Sequence, residues 1–165
     1  MSRILGIDPG SRFTGYGIIE VHGDTSTEIH SGVIKTGGGE FPERLGLIFR
    51  GIRDRFVAYR PSEVAVENVV VSTIASSALA RGRARGAAIC AAICENLKVS
   101  EYSPRSVKQA IVGKGSADKV QVQHMVCVLL QLKETPPEDA ADALAVALCH
   151  QHTQQSMNRM QALQR

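Results

Sequence analysis

The sequence predicts an α/β domain, a five-stranded mixed sheet flanked by helices on both faces. Two patterns predict it. The chain opens with three short runs rich in β-branched residues, 4–8, 14–22 and 27–36, and His22-Gly23-Asp24 supplies the turn between the last two. Apolar alternation bounded by turn residues marks an antiparallel meander. Two further β-branched runs, 64–71 and 99–102, each follow a stretch with helical character. The later strands therefore arrive as β-α-β units, which extend the sheet and cover both its faces.

Each element has a local cause. Ile4-Leu-Gly-Ile reads as a buried strand ended by Asp8, and Pro9-Gly10 turns the chain at once, leaving the carboxylate near a rim. Three glycines at 37–39 close the meander. From Pro42 the apolar residues Leu45, Ile48, Phe49, Ile52 and Phe56 recur at helical intervals until Pro61. Residues 75–96 form a long helix of small residues with Gly82 and Gly86 inside it. A glycine there costs about 1 kcal/mol against alanine, so the pair suggests close approach of another backbone, such as a second subunit. Ser103-Pro104 starts the next helix, with serine as the cap and proline first. Gly113-Lys-Gly115-Ser116 is a loop, a further helix runs to about Leu132, and Pro136-Pro137 separates it from a last helix over 138–152. One domain then spans 1–153. The glutamine-rich 154–165 lacks an apolar face and is expected to be a disordered tail.

Composition excludes some functions. At 165 residues and 44% hydrophobic, the chain can bury a proper core. No apolar run approaches the ~20 residues that span a bilayer. Asp8 interrupts the one candidate for a leader, which points to the cytoplasm. Cys90, Cys94, Cys127 and Cys149 contain no C-x-x-C pair and are expected to be small buried hydrophobes rather than metal or redox ligands. A net charge of +3 is compatible with an anionic partner, and 4% aromatic residues leave few rings for stacking on bases.

Four acids stand where acids are least expected. Asp8 ends a buried strand, and Glu67 follows Val64-Ala-Val66 at a position where β-propensity favours an apolar residue. Asp139 and Asp142 lie three apart on a helix and so share a face. Each has an ordinary alternative: a turn residue at Asp8, a solvent-facing edge at Glu67, a dipole-favoured first-turn acid at Asp139. Asp142 lies past the cap among small, packed-looking residues, Ala140-Ala-Asp-Ala-Leu-Ala. If the two strands are neighbours, the carboxylates of Asp8 and Glu67 stand about 5 Å apart and repel by roughly 3 kcal/mol at an effective dielectric near 20. Four converging acids would need protons or a cation, and hard oxygen donors with room for water select Mg²⁺ or Mn²⁺.

The ordered set Leu5-Gly-Ile-Asp-Pro-Gly-Ser-Arg12 with Thr14-Gly, Val66-Glu67, Ala84-Arg-Gly86, Val107-Lys-Gln109 with Val112-Gly113, and Asp139-Ala-Ala-Asp-Ala-Leu-Ala145 resembles the RuvC family. These are bacterial Holliday-junction resolvases with a ribonuclease H-like fold. The resemblance implies a homodimer that nicks two strands of like polarity symmetrically at a four-way DNA junction and leaves 5′-phosphate ends. It implies that Asp8, Glu67, Asp139 and Asp142 are catalytic and hold two Mg²⁺ ions per subunit, with Mn²⁺ as a substitute. Lys108 and Lys119 match basic positions that would meet the scissile phosphate. The helix over 75–96 resembles the family's dimerisation helix, which would place Gly82 and Gly86 at the subunit contact. Family analogy also implies RuvA and RuvB, the branch-migration proteins, as partners.

The departures from the family cluster after Glu67. Val70 stands where the resemblance implies an aromatic that stacks on bases at the junction, Thr73 where it implies a basic residue, and Ile74 where it implies asparagine. Ala80 replaces a lysine, while Arg81 and Arg83 stand where leucine and glutamine are usual. Arg81 and Arg85 share one helix face with Arg83 nearly opposite, so Arg81 and Arg85 are candidate DNA contacts. Two other readings stay open. Actin-like and sugar-kinase ATPases begin with a similar strand and turn, but need two such domains. A non-catalytic junction-binding module would be expected to have lost a carboxylate.

Overall fold

A computed structural model of the protein describes residues 1–68 and 74–164. β1 (Ser2–Asp8), β2 (Phe13–His22) and β3 (Thr25–Lys35) form the antiparallel meander. α1 (Phe41–Tyr59) leads into β4 (Glu63–Glu67), and α2 (Ala75–Cys94) into β5 (Val99–Tyr102). α3 (Pro104–Val112), α4 (Lys119–Leu129) and α5 (Glu138–Leu163) complete the chain. The strand order is β3-β2-β1-β4-β5, with β4 parallel to both β1 and β5. β4 ends at Glu67, where the strands beside it stop too: Pro9 follows Asp8, and Ser103 begins the cap of α3; residues 69–71 of the run 64–71 lie outside the described residues.

Alternation along the strands sorts side chains into two cores. Leu5, Ile7, Tyr16, Ile18, Val64 and Val66 pack with Ile48, Ile52 and Phe56 of α1 and the alanines of α2. Ile4, Ile19 and Ala65 pack with α3, α4 and α5. Asp8 shares parity with Ile4, and Glu67 with Ala65, so both acids face the layer that holds α5.

That layer lies on a floor of glycine. Gly6 is paired with Gly17, and Asp8 with Gly15, across β1 and β2. A Cβ at Gly6 would lie 2.1 Å from the Ala143 carbonyl oxygen, one at Gly15 1.9 Å from that of Asp139, and one at Gly17 2.6 Å from the Leu144 side chain. The helix backbone thus rests almost directly on the sheet backbone. This contact brings the first two turns of α5 over the end of β1.

Two expectations are corrected. The sequence reading ends the last helix at His152 and leaves 154–165 as a disordered tail, whereas α5 continues to Leu163. No glycine or proline interrupts the extension, and it is attached: Gln155 donates to the Gly23 carbonyl at 3.0 Å and Arg159 meets Asp24 at 3.1 Å. Cys90 and Cys94 are exposed rather than buried, because α2 turns Ala84, Ala88, Ala91 and Ala92 inward instead; Cys149 is buried. No helix among the described residues is long and apolar enough to cross a membrane.

Candidate functional site

β1 and β4 run parallel, so their C-terminal ends lie at one edge of the sheet, and a cavity of about 420 Å³ opens there. Asp8, Glu67, Asp139 and Asp142 all line it. The turn that delivers Asp8 is locked by Thr14, which is fully buried; its hydroxyl donates to the Gly10 carbonyl at 2.8 Å and accepts the Gly10 N–H at 3.3 Å. Asp139 and Asp142 come from the start of α5, seated on Gly15 and Gly17. One carboxylate oxygen from each of Asp8, Asp139 and Asp142 lies within 4.8 Å of the others. Glu67 joins them from β4 through a hydrogen bond with Asp8.

The electrostatics follow from this crowding. Asp8 is 6% exposed. Burial first, then the charges of Glu67 and Asp142, push its carboxyl up to about 8. The hydrogen bond between the two acids pushes Asp8 up and pulls Glu67 down. Burial also raises Glu67, against that bond and the Arg81 charge, and raises Asp142 against the pull of Lys119. The Arg81 guanidinium lies 3.4 Å from Asp8 Oδ1 and 3.7 Å from Glu67 Oε2. The protein therefore gathers more negative charge than its own cations neutralise. The donor set is all oxygen and partly open to water, which fits Mg²⁺ or Mn²⁺ and disfavours metals that want thiolate or imidazole.

The basic residues divide. Lys108 lines the cavity from α3 and forms no ion pair among the described residues. Lys119, at the start of α4 after the Asp118 cap, pairs with Glu138 and lies 3.0 Å from Asp142. Burial works against its charge, yet these two hydrogen bonds prevail and hold the ammonium above its usual range. Arg81 reaches the cavity, but Arg85 on the same helix face pairs with Glu101 of β5 and does not line it. Arg83 points the other way and stacks over Phe41, 5.0 Å from the ring centre. Gly82 and Gly86 lie on the outer face of α2, where an added Cβ would meet nothing within 4 Å. Among the described residues, nothing requires glycine at either. Val70 and Thr73 lie outside the described residues, and Ile74 is exposed.

Sequence reasoning missed three contributors. Glu138 holds Lys119, and Phe13 forms part of the cavity wall. The glycine floor did leave a signal, since Gly15 and Gly17 alternate on one strand face and a strand rarely gives up two side chains on one face without a close neighbour.

Known proteins share this sequence and this fold. The family model described as Crossover junction endodeoxyribonuclease RuvC matches residues 4–150. The crossover junction endodeoxyribonuclease RuvC of Hahella chejuensis is 50% identical over 160 residues, covering 97% of this chain and 93% of that one. The protein of the same name from Aeromonas salmonicida is 52% identical, covering 97% and 92%. The structure of T. thermophilus RuvC in complex with Holliday junction substrate superposes with a TM-score of 0.87 at 36% identity, over 93% of this chain and 94% of that one. A yeast mitochondrial Holliday junction resolvase, 16% identical over 96% of this chain and 81% of its own, shares the fold at a TM-score of 0.73. The chain belongs to the RuvC family of crossover junction endodeoxyribonucleases.

Proposed function

We propose that this protein resolves four-way DNA junctions by metal-dependent hydrolysis of phosphodiesters at the centre formed by Asp8, Glu67, Asp139 and Asp142. The observation that carries the reading is the convergence of Asp8, Asp139 and Asp142 within 4.8 Å, with Glu67 bonded to Asp8, in a chain of this family. These four residues would hold two Mg²⁺ or Mn²⁺ ions per subunit. Bound there, the ions supply water activation and neutralisation of the leaving oxygen. The chain's own residues prepare the site. Asp8, raised by burial and by its acid neighbours, binds a cation best once ionised. Lys108, without an acid partner among the described residues, is placed to take a phosphate oxygen. Lys119 orients Asp142 and stands close enough to the cavity to meet the same phosphate.

Symmetric paired nicks in strands of like polarity, leaving 5′-phosphate ends, require two such centres. The outer face of α2 supports a homodimer: Leu79 and Ile93 are 60% and 57% exposed on the stripe that includes Gly82 and Gly86. Two small residues one turn apart let a second backbone come close. Membership of the family supports RuvA and RuvB as partners and the cytoplasm as the place of action.

The test uses a synthetic mobile four-way junction with Mg²⁺, the parent protein and an Asp8→Asn variant. Paired symmetric nicks are expected from the parent alone. Cleavage by both proteins would remove Asp8 from the centre, and binding without cleavage by either would point to a junction-binding module.

A further inference from the structure

A second cavity, of about 510 Å³, adjoins the first. Arg12, Lys35, Arg44, Phe13 and the backbone at Gly37–Gly39 line it. None of its three cations forms an ion pair among the described residues, although Glu40 and Glu43 stand nearby. Arg44 is stacked 4.6 Å over Phe41, and its Nε, buried, finds no hydrogen-bond partner among the described residues. Phe13 lines both cavities and is the aromatic side chain among the described residues around the acids. It is 49% exposed although it begins a strand. Lys35 is its direct cross-strand partner, so ring and ammonium share a face. The wall is rigid: the buried Thr36 donates its N–H to the Arg12 carbonyl at 3.1 Å and its hydroxyl to that of Ser11 at 2.7 Å.

An exposed ring between an acidic cavity and an unneutralised cationic one suits a ligand with phosphates at regular intervals and a flat face on each unit. A nucleic-acid strand is such a ligand. We propose that the strand being cut runs from the acid cavity over Phe13 into the cavity of Arg12, Lys35 and Arg44. Phosphates next to the scissile one are held there, and Phe13 stacks on a base beside the cut. The inference rests on the nuclease reading and adds a second binding element to it.

The experiment measures junction affinity against salt, with Asp8→Asn carried in every protein so that no strand is cut. A triple variant, Arg12→Gln with Lys35→Gln and Arg44→Gln, is expected to bind about tenfold or more weakly, with a salt slope smaller by roughly two. Phe13→Ala and Phe13→Leu are expected to bind about tenfold more weakly at unchanged slope, because neither residue has a π-face. Phe13→Leu preserves apolar volume and so guards against a folding artefact. A fluorescent base analogue beside the cut site should be quenched by the Asp8→Asn protein and not by its Phe13→Leu derivative. Parental slope in the triple variant, or parental quenching with Phe13→Leu, would overturn the inference. If the protein with Asp8 intact neither binds nor cuts the junction, the nuclease reading fails and takes the inference with it. If that protein cuts while the variants bind as their parent does, only the inference fails.

Discussion

Gly15→Ala is the sharpest perturbation of the site that leaves every polar residue in place. The added Cβ would lie 1.9 Å from the carbonyl oxygen of Asp139 and 2.4 Å from its carbonyl carbon. Carbon and oxygen atoms do not approach within about 3 Å without a hydrogen bond, and both clashing atoms are backbone, so no rotamer change relieves them. Strand and helix must part by more than about 1 Å at the point where Asp139 stands beside Asp8. Overpacking of this kind costs about 1–3 kcal/mol in stability. A misplacement of about 1 Å costs on the order of a hundredfold in rate. The expected result is a protein that still melts cooperatively, at a lower temperature, and cleaves a four-way junction about a hundred times more slowly at saturating Mg²⁺.

Gly46→Ala serves as the control, because a Cβ there meets only the flexible end of Arg50, 3.1 Å away; it should cleave as the parent does. Gly17→Ala should fall between, since its closest contact is the side chain of Leu144 at 2.6 Å. The Mg²⁺-induced rise in melting temperature gives a second readout independent of cleavage, and it should shrink in Gly15→Ala. A folded Gly15→Ala protein that cleaves at the parental rate with a parental metal response would refute the idea that the glycine floor positions the centre.

Two further predictions concern charge and assembly. The Asp8 carboxyl is raised in the folded protein from an ordinary 3.8 to about 8. Its protonated form therefore favours folding, and that stability is complete below about pH 4 and lost as pH rises towards 8. Melting in chelator should show a fall over this window that is smaller in Asp8→Asn, while the stabilisation by Mg²⁺ should grow with pH; equal pH profiles for parent and variant would count against a raised Asp8 carboxyl. Gly82→Leu fills open space on the outside of α2, so the monomer should be no less stable, and a helix former in place of glycine gains about 0.8–1 kcal/mol. Sedimentation should nevertheless move from dimer to monomer, and a variant that stays dimeric would exclude this face from the contact.

Much of the fold was legible because its signals are local. Proline and glycine mark the ends of β1 and α1, Ser103-Pro104 starts α3, and β-branched runs identify buried strands. The acids were legible as a set because each breaks an expectation of its own element. What escaped was set by neighbours. The floor of Gly6, Gly15 and Gly17 acquires meaning only when α5 lies on it. Arg81 and Arg85 have equal standing on a helical wheel, yet one meets Asp8 and the other Glu101, because what decides between them is the strand beneath. The extension of α5 past His152 is similar, since its anchors at Gly23 and Asp24 lie far away in sequence.

The placement of the centre follows from the two cores. Asp8 and Glu67 end neighbouring strands, and parity turns them towards the α5 layer. Asp139 and Asp142 belong to that layer, whereas Arg81 comes from α2, which packs on the opposite face. Only at the edge where β1 and β4 stop can side chains from both layers meet the same carboxylates. Deeper in the sheet, Leu5, Ile7, Val64 and Val66 separate them. At the edge, one side of the acids can be backed by packed backbone and the other left open to water, a phosphate and an incoming cation. A site that gathers four acids needs both conditions, rigid backing to hold like charges together and access for the ion that neutralises them. The Gly15–Asp139 contact supplies the first, and the turn at Pro9-Gly10, which ends β1 before it can cover the cavity, supplies the second.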